Sequence, residues 1–141
     1  NRFAWRIAND LETLSRFADQ FETAGRDAGI PPAILLRLTL VVEEVVTNAI
    51  KYGYDAGAVG RIDIILRVAP DQAEVIIADD AKPFDPTTIP AADVDAAMDN
   101  RPVGGLGIHL IRSFSDTLEY RPQAHGNLLR LVHRFVKSPA A

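Results

Sequence analysis

Phe3, Trp5 and Ile7 alternate with Ala4 and Arg6, and this two-residue period predicts a short first strand. The period then lengthens. Leu11, Leu14, Phe17, Ala18 and Phe21 recur at three- and four-residue spacing, the apolar stripe of an amphipathic helix. Asn9 or Asp10 supplies its N-terminal cap. Gly25 and Gly29 are expected to loosen the end of this helix, and Pro31-Pro32 to restart the chain, since proline is tolerated in a first helical turn. A second helix is expected from Pro32 to Tyr52. Ile34, Leu38, Val41, Val42, Val45 and Ala49 give it a wide apolar face, and Gly53 is a candidate C-terminal cap.

A loop over 54–60 leads to two strands, 61–68 and 73–78, joined by a turn at Ala69-Pro70-Asp71-Gln72. The pattern then breaks. From Asp79 to Arg101 the chain is rich in Ala and Asp, with prolines at 83, 86 and 90, and holds at most one short helix over 91–98. Loops of such length in compact domains are commonly functional lids, and the lid is placed at about 80–103. Gly104-Gly105-Leu106-Gly107 opens a last helix carrying Ile108, Leu110, Ile111 and Phe114. Two closing strands follow at 117–121 and 127–136, and a tail at 137–141 is expected to fray. Strands gathered into hairpins, not alternating with helices, predict an α+β two-layer sandwich. Helices should cover one face of a mixed, mostly antiparallel sheet.

Composition narrows the picture. A length of 141 residues suits one domain spanning 1–141, and 48% hydrophobic with 24% charged residues is ordinary for a globular chain. There is no cysteine, which excludes disulfides and cysteine metal sites and suits a cytoplasmic setting. No apolar run approaches the roughly 20 residues of a membrane-spanning helix. No leader is expected, because Asn1-Arg2-Phe3 runs directly into patterned sequence. The formal charge is −4 with signs mixed along the chain, which argues against nucleic acid as a direct partner.

Three constellations carry candidate chemistry. Glu44 and Asn48 lie four apart on the second helix and share a face, which Lys51 joins. A carboxylate beside a carboxamide suits Mg²⁺, or a base next to a metal ligand. The same spacing also suits a solvated stripe with a Glu-to-Lys contact. Asp79 ends an apolar strand at a rim where it can accept from a ligand amine, although Asp and Pro over 79–86 equally make a turn. Gly104, Gly105 and Gly107 precede a helix, where main-chain N–H groups bind anions; a flexible hinge is the alternative. A Walker A loop is excluded by the missing Lys-Ser/Thr ending, and a Rossmann fingerprint by the glycine spacing. His109, His125 and His133 are not spaced as a metal site. Phe3 and Trp5 are expected in core packing, with a sheet edge or dimer seam as the alternative.

Taken in order, these signals are Glu-x-x-x-Asn on a helix, Asp after a strand, a long lid, and Gly-x-Gly at a helix start. The arrangement resembles the GHKL nucleotide-binding fold of histidine kinases and type II topoisomerases. Glu43-Glu44-Val45-Val46-Thr47-Asn48-Ala49-Ile50-Lys51-Tyr52-Gly53-Tyr54 looks like the asparagine box of its anti-sigma-factor serine kinase branch. Pro83-Phe84-Asp85-Pro86 is similar to that branch as well, and Gly105-Leu106-Gly107-Ile108-His109-Leu110-Ile111 looks like its second glycine box. The likeness runs from about residue 3 to 136.

The resemblance implies a Mg-ATP-dependent serine/threonine kinase that phosphorylates a STAS-type antagonist, sequesters a sigma factor and forms a homodimer. It implies Glu44 as the general base and Asn48 as the Mg²⁺ ligand. Asp79 would be the acceptor for the adenine amino group. Lys51, Ala81, Phe84, Arg101, Gly104, Gly105, Leu106 and Gly107 would complete the ATP contacts. The alternative is a nucleotide-gated partner switch without turnover. Three departures from the pattern bear on that choice. Ala81 stands where the first glycine box has Gly, and Gly126-Asn127 where Gly-Thr is usual. Val103 precedes the second glycine box where many members have a basic residue, which leaves Arg101 as the nearest candidate.

Overall fold

The computed structural model describes residues 1–83 and 116–136. The elements in chain order are β1 (Arg2–Ala8), α1 (Leu11–Asp27), α2 (Pro32–Tyr52), β2 (Arg61–Ala69), β3 (Gln72–Asp79), β4 (Thr117–Gln123) and β5 (Gly126–Arg134). The strands form one sheet in the order β1-β2-β3-β5-β4, and every described pairing is antiparallel. The expected α+β sandwich is therefore present, with an antiparallel sheet.

Register follows the period-two pattern. Trp5 pairs with Ile64, Ile64 with Ile77, and Ile77 with Leu129, so one inward row crosses four strands. A one-residue slip would send that whole row to solvent, which is why the alternation fixes the pairing. Both hairpins turn within two residues, Pro70-Asp71 between β2 and β3, and Ala124-His125 between β4 and β5. Proline has no main-chain N–H to contribute to a ladder, so it fits the turn.

The core lies between this sheet face and the helices. Phe17 and Phe21 of α1 and Leu35, Leu38, Val42 and Val46 of α2 meet Ile62, Ile64, Leu66, Val75, Ile77 and Leu131. Trp5 stacks edge-on against Phe17 at 5.3 Å between ring centroids, and Phe3 and Phe21 extend the cluster. The two N-terminal aromatics are thus core packing, as expected. Val45 is only partly buried, and Val46 takes its place in the fully buried row of α2.

The structure sharpens three local expectations. Of the two candidate caps, Asp10 caps α1, its carboxylate accepting from Thr13 N–H at 2.7 Å. Gly25 lies inside α1, where a β-carbon would stand 2.5 Å from Leu35 Cδ1. It permits the close approach of α1 to α2 and does not loosen the helix. Gly53 caps α2 as expected, its N–H donating to the Ala49 carbonyl, but in right-handed geometry (φ −91°), so its lack of a side chain serves packing against Ala81.

Candidate functional site

α2 carries the first part of the site. Its apolar face turns to the sheet, and four-residue spacing stacks Glu44 and Asn48 on adjacent turns of another side. Asn48 is polar yet only 6% exposed, and Glu44 is half-buried. Glu44 Oε1 and Asn48 Oδ1 are buried with no hydrogen-bond partner among the described residues. An unpaired buried acceptor costs roughly 1–3 kcal/mol, so two side by side mark a place that a ligand can complete. Two hard oxygens suit Mg²⁺, which takes few protein ligands and fills the rest of its shell with water and phosphate oxygens. Among the described residues there is no cluster of three or more acidic, His or Cys side chains to hold a metal by themselves.

Burial lifts the Glu44 carboxyl above its ordinary range, while the charge of Lys51 and the Asn48 hydrogen bond pull it back. Lys51 is exposed in the last turn of α2. Glu43 points elsewhere. Its carboxyl is also raised, first by burial and then by the carboxylates of Asp19 and Glu22 on α1. One residue is about 100° around a helix, so Glu43 and Glu44 project from different sides of α2.

The second part lies at the end of β3. Asp79 Oδ1 accepts from Ala81 N–H at 3.0 Å and from the Asn127 Nδ2 amide at 2.8 Å. Burial raises the Asp79 carboxyl, and the bonds from Asn127 and Ala81 oppose that rise. Gly126 makes the arrangement possible. It has φ +153°, and a β-carbon there would stand 1.8 Å from the Asp79 carbonyl oxygen. Only glycine lets β5 start this close to the β3 exit. Ala81 is buried and packs against Gly53, and Lys82 N–H donates to the Gly53 carbonyl at 2.9 Å. The C-terminus of α2 and the exit of β3 are thus bonded directly. No non-glycine residue among those described has positive φ, so Ala81 occupies an ordinary backbone conformation.

A neighbouring network holds the 53–60 loop. Tyr54 Oη donates to Asp80 Oδ1 at 2.6 Å, and Arg61 N–H donates to the same oxygen at 2.9 Å. Burial, with the Asp80 carboxylate beside it, pushes the Tyr54 phenol well up. Partial burial works to raise Asp80, but the bonds from Tyr54 and Arg61 outweigh it and hold its carboxyl below the usual range. Asn9 clamps the loop from the other side, donating to Ala58 O and accepting from Gly60 N–H.

The sequence pattern did not reveal the roles of Tyr54, Asp80 and the Asn9 clamp, and it marked Asn127 only as a departure. Asn127 had a usable signal, a polar residue directly after a glycine at the start of an apolar strand. Tyr54 and Asp80 are 26 residues apart, and no spacing rule joins them. The expectations at Phe84, Arg101, Gly104, Gly105, Leu106 and Gly107, and most of the lid, lie outside the described residues.

A family model described as "Histidine kinase-like ATPase domain" matches residues 7–133, nearly the whole chain. The chain belongs to that family. Among curated relatives of this ATPase domain, the serine/threonine-protein kinase BtrW of Bordetella bronchiseptica is 29% identical over 95 residues, covering 67% of each chain. The serine-protein kinase RsbW of Staphylococcus aureus is 37% identical over 82 residues, 55% of this chain and 52% of RsbW. The match therefore spans about half the length of RsbW. Solved structures agree on the fold. The RsbU and RsbW domains of a Mycobacterium tuberculosis protein superpose over 99% of this chain and 34% of that one, with a TM-score of 0.70 at 13% identity. The blue-light activated histidine kinase of Erythrobacter litoralis superposes over 86% of this chain and 40% of its own, with a TM-score of 0.55 at 17% identity. Against the pattern of the ATPase family, Asn127 gives Asp79 a hydrogen-bond donor, and Ala81 is seated against a glycine.

Proposed function

We propose that this ATPase domain is a Mg-ATP-dependent serine/threonine protein kinase of the anti-sigma-factor type. It phosphorylates a STAS-type antagonist and sequesters a sigma factor, acting as a cytoplasmic homodimer. The observation that carries the reading is the pair of buried, unpartnered oxygens, Glu44 Oε1 and Asn48 Oδ1, on adjacent turns of α2. The printed names of the relatives, serine and serine/threonine protein kinases, support the same class.

In this reading Asn48 Oδ1 is the protein ligand to Mg²⁺. When bound, the ion neutralises charge on the ATP phosphate oxygens. Glu44 accepts the proton of the attacking serine or threonine hydroxyl as its oxygen bonds to the γ-phosphorus and the bond to the β–γ bridging oxygen breaks, releasing ADP. Partial burial suits Glu44 to this work, because a carboxyl lifted toward the working pH is a stronger base when ionised. Asp79 accepts from the adenine amino group, and Lys51 adds positive charge beside the phosphates. Such transfer needs little beyond positioning, a metal and a base.

The rival reading, a nucleotide-gated partner switch without turnover, drew on Ala81 and Asn127. The first has ordinary backbone geometry and the second supplies a donor to Asp79, so neither speaks for a disabled site. The test incubates the purified chain with a STAS-domain protein and Mg-ATP and maps phosphate by mass spectrometry. Phosphoserine or phosphothreonine on the partner is expected. A chain that binds both Mg-ATP and partner but leaves no phosphate would hand the assignment to the switch.

A further inference from the structure

We infer that Tyr120 and Asn127 form a two-residue relay that fixes the Asp79 carboxylate in the orientation needed to distinguish adenine from a base with a carbonyl at the same position. The inference rests on the proposed reading of Asp79 as the adenine acceptor and extends it to two positioning residues.

The relay is defined by its hydrogens. Asn127 Nδ2 donates to Asp79 Oδ1 and to the Lys82 carbonyl, both at 2.8 Å. An ionised carboxylate and a carbonyl only accept, so both hydrogens of the amide are used and the NH₂ end must face them. The opposite end, Asn127 Oδ1, accepts from Tyr120 Oη. A flipped amide would turn its oxygen toward the Asp79 carboxylate and the Lys82 carbonyl and lose both of those bonds, so these two acceptors set its direction. Tyr120, donating to the oxygen end, holds the amide in place against them.

The sheet supplies the placement. Asn127 pairs directly with Asp79 across β5 and β3, and with Pro122 across β5 and β4. Tyr120 is two residues before Pro122 and so projects from the same face, diagonal to Asn127. Asn127 is only 6% exposed and Tyr120 is partly buried, so water competes poorly for these bonds. With Asp79 Oδ1 held by Asn127 and by Ala81 N–H, the donation from adenine falls to the other carboxylate oxygen, whose direction is then set. A hypoxanthine base presents a carbonyl where adenine presents an amine. A fixed carboxylate repels that carbonyl, and one free to rotate can turn away from it.

The test measures Mg-ATP and Mg-ITP affinity by calorimetry on the same samples of the parent, Tyr120→Phe, Asn127→Ala and Asp79→Asn. Using the ratio of the two affinities cancels any loss of folded protein. The parent should prefer ATP. Tyr120→Phe removes one oxygen and should lower the ATP-to-ITP ratio about 3-fold to 10-fold, and Asn127→Ala about 10-fold to 100-fold. In both, the ATP affinity should fall more than the ITP affinity. If Asp79→Asn loses the preference while both relay variants keep the parental ratio, the relay is wrong and the Asp79 reading stands. If the parent shows no preference, or Asp79→Asn retains it, the Asp79 reading fails and the relay falls with it.

Discussion

The methyl of Ala81 rests on Gly53: a β-carbon built on Gly53 would stand 2.6 Å from that of Ala81. The glycine expected at 81 from the resemblance to a first glycine box is an alanine, and a glycine, Gly53, stands opposite at the end of α2. Two main-chain groups seal the contact, Lys82 N–H donating to the Gly53 carbonyl at 2.9 Å. Both halves of the candidate site, Asn48 on α2 and Asp79 on β3, lie within five residues of this contact.

Gly53→Ala should therefore destabilise the domain by about 1–3 kcal/mol, the usual range for overpacking. Ala81→Gly should recover part of the loss. Recovery will be partial because the new β-carbon also meets the Ala49 carbonyl oxygen at 2.7 Å. Urea denaturation of the four members of the cycle checks this. A coupling of at least ~0.5 kcal/mol is expected, and strict additivity would show that the contact is not felt.

Asp79→Asn should separate binding from folding. Asparagine Oδ1 can still accept from Ala81 N–H and the Asn127 amide, so both recorded bonds survive. A hydrogen bond to a charged group is worth roughly 1.5–3 kcal/mol, so ATP affinity should fall about 10-fold to 100-fold. Stability should move the other way. Burial raises the folded-state pKa of Asp79 above the ordinary 3.8, so the folded state favours its neutral form. That contribution is fully present below the unfolded pKa and is lost as pH rises through the raised value. At pH 7 the nucleotide-free variant should melt at the parental temperature or above it, and the difference should close as pH falls below 3.8. A variant that binds ATP as well as the parent would remove Asp79 as the adenine acceptor.

The sequence carried the fold because its periods are clean. Trp5 and Ile7 flank Arg6, Ile62 and Ile64 flank Asp63, and the row at 38, 42 and 49 is helical, while the short apolar run at 75–77 is bounded by turn residues. Glu44 with Asn48 was legible for the same reason, since both lie on one element and a period relates them. The hydrogen bonds that shape the rest of the site join residues distant in sequence. Asp79 and Asn127 are 48 residues apart, and Tyr54 and Asp80 are 26 apart. Such pairs are set by sheet register and loop closure, which no local period encodes. Gly25 was misjudged because it looked like a loosened helix end, whereas it is a point of close approach to Leu35; Gly53 is the expected helix end and also a point of close approach to Ala81.

Glu44→Gln and Asn48→Ala should fail in different ways. Glutamine keeps the size and much of the hydrogen bonding of Glu44 but cannot take a proton. Loss of general-base assistance typically lowers the rate about 100-fold to 10,000-fold, with ATP binding little changed. Asn48→Ala removes the proposed metal ligand, so Mg-ATP affinity and phosphotransfer should drop together. Chelation with EDTA should weaken ATP binding strongly in the parent and much less in Asn48→Ala. If Glu44→Gln transfers phosphate at the parental rate, the base lies elsewhere. Glu43 is poorly placed to replace it, because its carboxylate faces Asp19 and Glu22 of α1.

Lys51 gives this chemistry a pH signature. Burial raises the Glu44 carboxyl, and the positive charge of Lys51 is the larger of the two influences that lower it again. A base works only when ionised, so kcat at saturating Mg-ATP should rise with pH through the Glu44 pKa and then level off. Removing the positive charge with Lys51→Met takes away one stabiliser of the carboxylate. The acid limb should then move to higher pH, whatever the height of the plateau. Lys51 is exposed, so salt should screen its effect, and the parent's limb should drift toward the mutant's as ionic strength increases. The measurement is a pH series of phosphotransfer at low and high salt for both proteins, with nucleotide kept saturating so that weaker nucleotide binding does not shape the profile, and the midpoint of the limb is compared. An acid limb that moves to lower pH in Lys51→Met, or stays fixed in both proteins at both salts, would mean that the titrating group is not the Glu44 carboxylate beside Lys51.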